Sequence, residues 1–354
     1  MIETGTHRLP DGREAEVVEI AGGGLRARVA SLGASLLELW VPDADGRSAD
    51  VALGHATLAG YLDDDAYLGA AIGRTAGRVG GAMLVVDGQT YTLDANDGPN
   101  TLHGGPHGLH QKVWTVEEVG PRAATLAVES PDGEGGYPGA LSVRLTYTLE
   151  PWGRGGAQTA GALRLDWEAT ATAPTPVALA HHGYYHLDGH DAGSVRDHVA
   201  QVDADRYLPV GPDLLPTGDV APVAGTPFDL RRPAPLASVL DADHVQVERG
   251  GGLDHDLLDA PPGPRQVPLR RLATVRGRSR AVEVWTTEPA LHLYAGGSLD
   301  VADGKGGAAY GPHAGLALET QPPPDAASHA GFPDIVLRPG DTLRSRTVLR
   351  FSRA

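Results

Sequence analysis

The chain has 354 residues, 41% of them hydrophobic and 21% charged, and its 29 basic against 45 acidic side chains give a formal net charge of −16. Nucleic acid or an anionic membrane would be repelled across most of such a surface, so neither is an expected partner and neutral ligands are favoured. There is no cysteine, which excludes a disulfide framework, a thiolate nucleophile and a zinc–thiolate site.

The opening residues, "MIETGTHRLPDGREAEVVEI", lack the basic and apolar regions of a signal peptide, and no window approaches the ~20 apolar residues needed to span a bilayer. A cytoplasmic protein is the expectation. No tract is poor enough in apolar residues to read as a long disordered arm, and no clear linker or internal repeat appears, so residues 1–354 are expected to form one domain.

Along the chain, period-two alternation recurs while helical periodicity hardly does. "HATLAGYL" (55–62) predicts a short helical turn. "MLVVDGQTYTL" (83–93) predicts two strands joined at Asp87-Gly88, a strong hairpin signal. "LSVRLTYTL" (141–149) puts Leu141, Val143, Leu145, Tyr147 and Leu149 on one face, the pattern of a half-buried antiparallel strand. "ALRLDWEATA" (162–171), "AVEVWTT" (281–287), "ALHLYAGG" (290–297) and "TLRSRTVLRFS" (342–352) read the same way. The proline-rich "GTPFDLRRPAPL" (225–236) reads as a surface excursion, and the arginines of Arg265–Arg280 as a solvated face or a local anion patch. With 48 glycines and 28 prolines between the runs, the fold class predicted is all-β, a large sandwich of antiparallel strands. The glycine-rich pieces lack the strand-to-helix setting of a nucleotide-binding loop.

Polar residues gather in four places. "DGPNTLHGG" (97–105) holds His103 in a turn whose glycines let a ligand or another backbone approach closely; a functional histidine and a polar loop residue both fit. "LAHHGYYHLDG" (179–189) would, as a strand, turn His182, Tyr184 and His186 one way and His181 and Tyr185 the other. Adjacent histidines facing apart, with no H-E-x-x-H carboxylate, argue against a metal site. "GGLDHDLL" (251–258) brings Asp254, His255 and Asp256 together. "GLALETQPPPDA" (315–326) ends an apolar strand on Glu319, costly unless that carboxylate is hydrogen-bonded or faces a cleft.

In order, "GAAIGRTAGRVGGAMLVVDGQTYTLDANDGPNTLHGGPHGLHQKVW", "HHGYYHLDG", "GGLDHDLL", "VWTTEPALHLYAGG" and "LALETQPPPDAASHAGFPDIVLRPGDT" resemble the aldose 1-epimerases, the galactose mutarotase family, across nearly the whole chain. The resemblance implies a β-supersandwich with an open sugar cleft. It implies that Arg74, the first arginine of "GRTAGR", contacts sugar, that His103 and His182 are the two active-site histidines, that Asp254 binds hydroxyls and that Glu319 is the catalytic glutamate. Asn100 and Tyr184 join the substrate-binding set, with Tyr184 or Trp285 offering an apolar face to sugar C–H groups. The implied reaction interconverts the α and β anomers of a free aldose such as glucose or galactose. Glu319 takes the C1 hydroxyl proton and His182 protonates the ring oxygen, with His103 orienting the ring. No metal or organic cofactor is needed, and the partner is a monosaccharide on a monomer or homodimer. Alternatives are a sugar-binding sandwich that no longer catalyses, a relative acting on an unusual sugar, and a metal-dependent hydrolase or lyase. His181, Gly183, His186, Gly297 and Pro322 depart from the usual family letters, which leaves the sugar open.

Overall fold

Alternation in the sequence becomes strand in the structure, a computed structural model that describes residues 2–62, 64–152, 159–259 and 265–354. Strands cover Leu141–Glu150, Thr159–Ala171, Arg280–Thr286 and Leu343–Arg353, within a few residues of the alternating runs. The hairpin forms as Met83–Val86 and Gln89–Thr92, with Asp87 and Gly88 both at the positive φ that a tight two-residue turn demands. The helical turn forms as the 3-10 segment Leu58–Tyr61.

Among the described residues three large antiparallel sheets carry the fold. The first is a meander in chain order, from Gly5–Arg8 to Ser48–Asp50. A nine-stranded sheet is centred on Thr159–Ala171 and Leu343–Arg353, with Leu141–Glu150 on one side and Arg280–Thr286 on the other. A six-stranded sheet runs in the order Tyr184–Tyr185, Leu316–Gln321, Ala290–Tyr294, Asp254–Leu258, Arg206–Tyr207, Ala221–Pro222.

One apolar core joins all three, contacting Val29 of the first sheet, Leu145, Tyr147 and Phe351 of the second, and Leu257, Leu293 and Leu318 of the third. Tyr147 is fully buried and donates its hydroxyl to the Ala34 carbonyl 2.5 Å away, which ties the second sheet to the first without leaving a buried polar atom unpaired. The proline-rich stretch 225–236 runs along the surface with Pro233 and Pro235 exposed, and it is pinned by Phe228, Leu230 and Leu236, which are at most 1% exposed and fill the core. Within Arg265–Arg280, Arg270 pairs with Asp259 and buried Arg280 donates to the carbonyls of Val41 and Arg47, while Arg271, paired with Asp203, and Arg276 and Arg278 lie exposed on a solvated face. Among the described residues no helix is long and apolar enough to cross a membrane.

Candidate active site

Register builds the site. In the six-stranded sheet Asp254 lies opposite Tyr294, Asp256 opposite His292, and His292 opposite Glu319. Because side chains alternate, Asp254, Asp256, His292, Tyr294, Glu319 and Gln321 share one face, while His255, Leu257, Leu293 and Leu318 point into the core. That polar face floors a cleft of about 620 Å³. His182, from the strand Ala180–His182, and Tyr184 close one wall; Tyr67, Arg78 and His103 close another.

His182 and Glu319 meet at the floor, Nε2 to Oε1 at 3.4 Å, both almost fully buried. The remaining polar atoms, His182 Nδ1 and Glu319 Oε2, find no hydrogen-bond partner among the described residues. Burial pushes the Glu319 carboxyl up to about 8, although the neighbouring His292 charge works against that rise. Burial, reinforced by His292, pushes the His182 imidazole down to about 3. Between those values the pair therefore holds one proton, resting on Glu319. This inverts the order expected from ordinary side-chain values, in which the imidazole would be the group still protonated at neutral pH.

His103 sits at φ 54°, and Gly104 after it at φ 85° packs so tightly on the Gly73 carbonyl that a Cβ there would overlap it. The glycines thus set the imidazole in place. Its Nδ1 accepts the Gly77 N–H at 3.3 Å, which leaves the proton on Nε2. Burial and the nearby His182 hold the ring well below its usual range, so His103 is a neutral donor, edge-on to His182 at 5.1 Å and to Tyr67 at 4.6 Å.

Asp254 also faces the cleft. Burial raises its carboxyl, yet a hydrogen bond from His292 Nε2 at 2.8 Å and the charge of that ring bring it below the usual value. His292 Nδ1 lies 3.1 Å from Asp256 as well. Tyr184 contributes a buried ring 5.0 Å from that of His182. His103, His182, Tyr184, Asp254 and Glu319 are thus brought together as the motifs suggested.

Arg74 and Asn100 are not part of the cleft lining. The Arg74 guanidinium is 2% exposed and donates to Ser130 Oγ and to the carbonyls of Ser130, Pro131, Pro138 and Gly139. Its donors are occupied by the protein. Arg78 lines the cleft instead, braced by Asp97 at 2.7 Å. Asn100 is buried, and its side-chain oxygen accepts the Gly81 N–H, ordering the turn before His103. Trp285 lies on the nine-stranded sheet beside Trp152, away from the cleft. Sequence reasoning missed Tyr67, Arg78 and His292 and named Asp256 without giving it a role. A period of two along "LDHDLL" was enough to put Asp256 on the face of Asp254, whereas His292 joins them only through the strand register.

His186 leaves the cleft and packs on His198 with ring centres 4.6 Å apart, near Asp188. His198 Nε2 accepts the Leu187 N–H, so the ring keeps its proton on Nδ1 and has no free lone pair for a metal. Gly297 is required by packing, because a Cβ would overlap the Gly251 carbonyl.

Fold and site together define an antiparallel β-sandwich whose open cleft is built for proton transfer on a hydroxylated ligand, the design of a carbohydrate isomerase. The aldose 1-epimerase family model matches residues 16–350. The chain is 40% identical to the galactose mutarotase of Homo sapiens over 352 residues, 98% of this chain and 97% of that one. It is 34% identical to the aldose 1-epimerase of Escherichia coli K12 over 345 residues, 97% and 96% of the two chains. The crystal structure of an aldose epimerase homologue from C. elegans superposes with a TM-score of 0.86 at 32% identity, covering 96% of this chain and 99% of the other. Galactose 1-epimerase from Lactobacillus acidophilus gives 0.83 at 27% identity, covering 99% and 98%. The chain belongs to the aldose 1-epimerase family, isomerases that act on carbohydrates.

Proposed function

We propose that the protein interconverts the α and β anomers of a free neutral aldose, with galactose and glucose the first candidates, and that Glu319 and His182 move the protons. The observation that carries this reading is the Glu319–His182 pair at 3.4 Å in the cleft lining, whose remaining polar atoms, Glu319 Oε2 and His182 Nδ1, are buried and have no partner among the described residues. In the reactive tautomer the proton is on His182. Glu319 takes the proton of the C1 hydroxyl, the C1–O5 bond breaks as the C1 carbonyl forms, and His182 delivers its proton to O5. The pair is left with a protonated carboxyl and a neutral imidazole, the arrangement its surroundings favour, so the open-chain aldehyde meets the resting state of the site. Rotation about C1–C2 and reversal of both transfers close the other anomer.

His103, a neutral Nε2–H donor, orients the ring; Asp254 accepts from hydroxyls and Arg78 donates to them. Neutral sugars suit a cleft whose floor carries Asp254, Asp256 and Glu319. The test is anomer exchange by polarimetry or NMR on freshly dissolved pure anomers of galactose, glucose and several pentoses. Acceleration of at least one is expected, and acceleration of none overturns the proposal. Each positioned proton transfer supplies about 10²- to 10⁴-fold, so Glu319→Gln is expected to lower kcat by about 10²-fold or more at nearly unchanged KM. Retention of half the activity would make Glu319 structural.

A further inference from the structure

The proton bookkeeping above leaves His292 without a task, although it stands at the centre of the polar face. Asp256, His292 and Glu319 lie directly across from one another on three neighbouring strands. Such directly opposed residues bring their Cβ atoms to about 4.5–5.5 Å. On its other side His292 is clasped by two carboxylates, Asp254 at 2.8 Å on Nε2 and Asp256 at 3.1 Å on Nδ1. A neutral imidazole donates from one nitrogen only; serving both carboxylates takes the imidazolium. Gln321 Nε2 donates to the other oxygen of Asp256 at 3.3 Å, which fixes the outer end of the clasp.

We propose that Asp254 and Asp256 hold His292 as an imidazolium and that this fixed positive charge, set against Glu319, is what places the single-proton state of the Glu319–His182 pair on the pH scale. His292 is a positioning residue, and its role rests on the reading of Glu319 and His182 as the acid–base pair.

Burial works against a charge on His292, but the two carboxylates outweigh it and raise the ring well above its usual range. The same charge is the largest influence after burial on both partners, lowering Glu319 and His182 alike. The cleft around it is also lined by Asp65, Arg249, Tyr294 and Asp300. Asp254 and Asp256 come from Asp254–Leu258, Glu319 from Leu316–Gln321, His182 from Ala180–His182, and His103 and Arg78 from across the cleft. Burial keeps His103 neutral, and His255 on the opposite face is pushed down to about 4 and is neutral too. Arg78 is already paired with Asp97. Tyr67, pushed up to about 12 by burial, and Tyr184, pushed up likewise, add no charge.

The experiment reads the Glu319 carboxyl directly, by 13C NMR titration of the sugar-free protein, beside the kcat/KM pH profile. His292→Gln keeps a hydrogen-bonding side chain and removes the charge; the Glu319 midpoint and the alkaline limb are expected to rise together by about one unit or more. The 15N shifts of the His292 ring report its charge in the parent protein, and imidazolium shifts are expected at neutral pH. A folded His292→Gln protein with an unmoved midpoint overturns the proposal, as does a neutral His292 ring in the parent. If His292→Gln does not fold, the 15N shifts decide alone. The two readings separate cleanly: an active Glu319→Gln protein with the NMR shifts intact would remove the acid–base assignment and keep the charge placement, while absent shifts with an inactive Glu319→Gln would do the reverse.

Discussion

Arg74 and Arg78 come from one six-residue motif and sit in opposite settings. Arg74 donates to four backbone carbonyls, of which that of Pro131 is seen to accept another N–H, from Glu134, so Arg74→Ala strips buried acceptors of their donor and should cost about 3 kcal/mol or more of stability, read as a lowered urea midpoint. Arg78→Ala should leave the midpoint nearly unchanged and raise KM about tenfold, the equivalent of one charged hydrogen bond to a sugar oxygen. The reverse pattern would restore Arg74 as the ligand residue. Nothing in "GRTAGR" separates the two in advance, because the choice depends on which guanidinium the backbone carbonyls of a distant segment, 130–139, come to meet. The pH profile also belongs at this scale. The pair gains a second proton as pH falls toward about 3 and loses its only one as pH rises through about 8. kcat/KM is therefore expected to be flat from mildly acid to neutral pH and to fall above about 8. Glu319→Gln should erase that alkaline limb, while His103→Asn keeps it with a higher KM. A fall already complete by pH 6 would contradict the assignment.

The segment 64–69 shows how an element without regular structure is made rigid enough to serve the site. The Asp64 carboxylate accepts the N–H groups of Ala66 and Leu68, at 3.0 and 2.5 Å, and lies 3.2 Å from His55 Nε2. This holds Tyr67 at φ 56° against His103. Asp64→Ala should therefore raise KM by several-fold through a displaced Tyr67, without touching an acid or base. Burial lowers His55, but Asp64 and Asp303 outweigh it and raise the ring above its ordinary 6.5. A raised value means that the contribution is complete below about pH 6.5 and is lost as pH climbs through the folded-state value. The Tm gap between the parent and His55→Asn should shrink as pH goes from 6 to 9; a gap that widens would refute the linkage. Regular elements were far more legible than this loop. "LSVRLTYTL" and "LALETQ" gave strands with the right residues inward, and with them Glu319, since a period of two needs only local information. Tyr67 was hidden because its position depends on a side-chain cap and a positive φ at a non-glycine residue. The proline-rich 225–236 was legible as a surface path, but the side chains that pin it to the core, Phe228, Leu230 and Leu236, were not, because proline marks bending and burial is decided by what packs beyond the bend.

At the scale of the molecule the three sheets share one core, and the Tyr147–Ala34 bond is a single point where their union can be measured. Tyr147→Phe leaves the Ala34 carbonyl buried and unpaired, so a loss of about 1–3 kcal/mol is expected in urea denaturation, with kcat unchanged at room temperature. A loss of activity at equal stability would show instead that the bond reaches the cleft. The nine-stranded sheet has a further consequence, one of time rather than energy. Its middle is made by Leu343–Arg353, which pairs on one side with Thr159–Ala171, where Leu165 meets Thr347, and on the other with Arg280–Thr286, where Val284 meets Leu349. Neither neighbour can complete its ladder until a segment far along the chain has arrived, so the loop-closure entropy falls due before most of the contacts that offset it. Refolding from urea should be slow, on the order of seconds or longer, with both flanking strands exposing open edges in the interval. During that wait the chain is at its most vulnerable to self-association, and yield on refolding should fall as protein concentration rises even where the finished enzyme stays in solution.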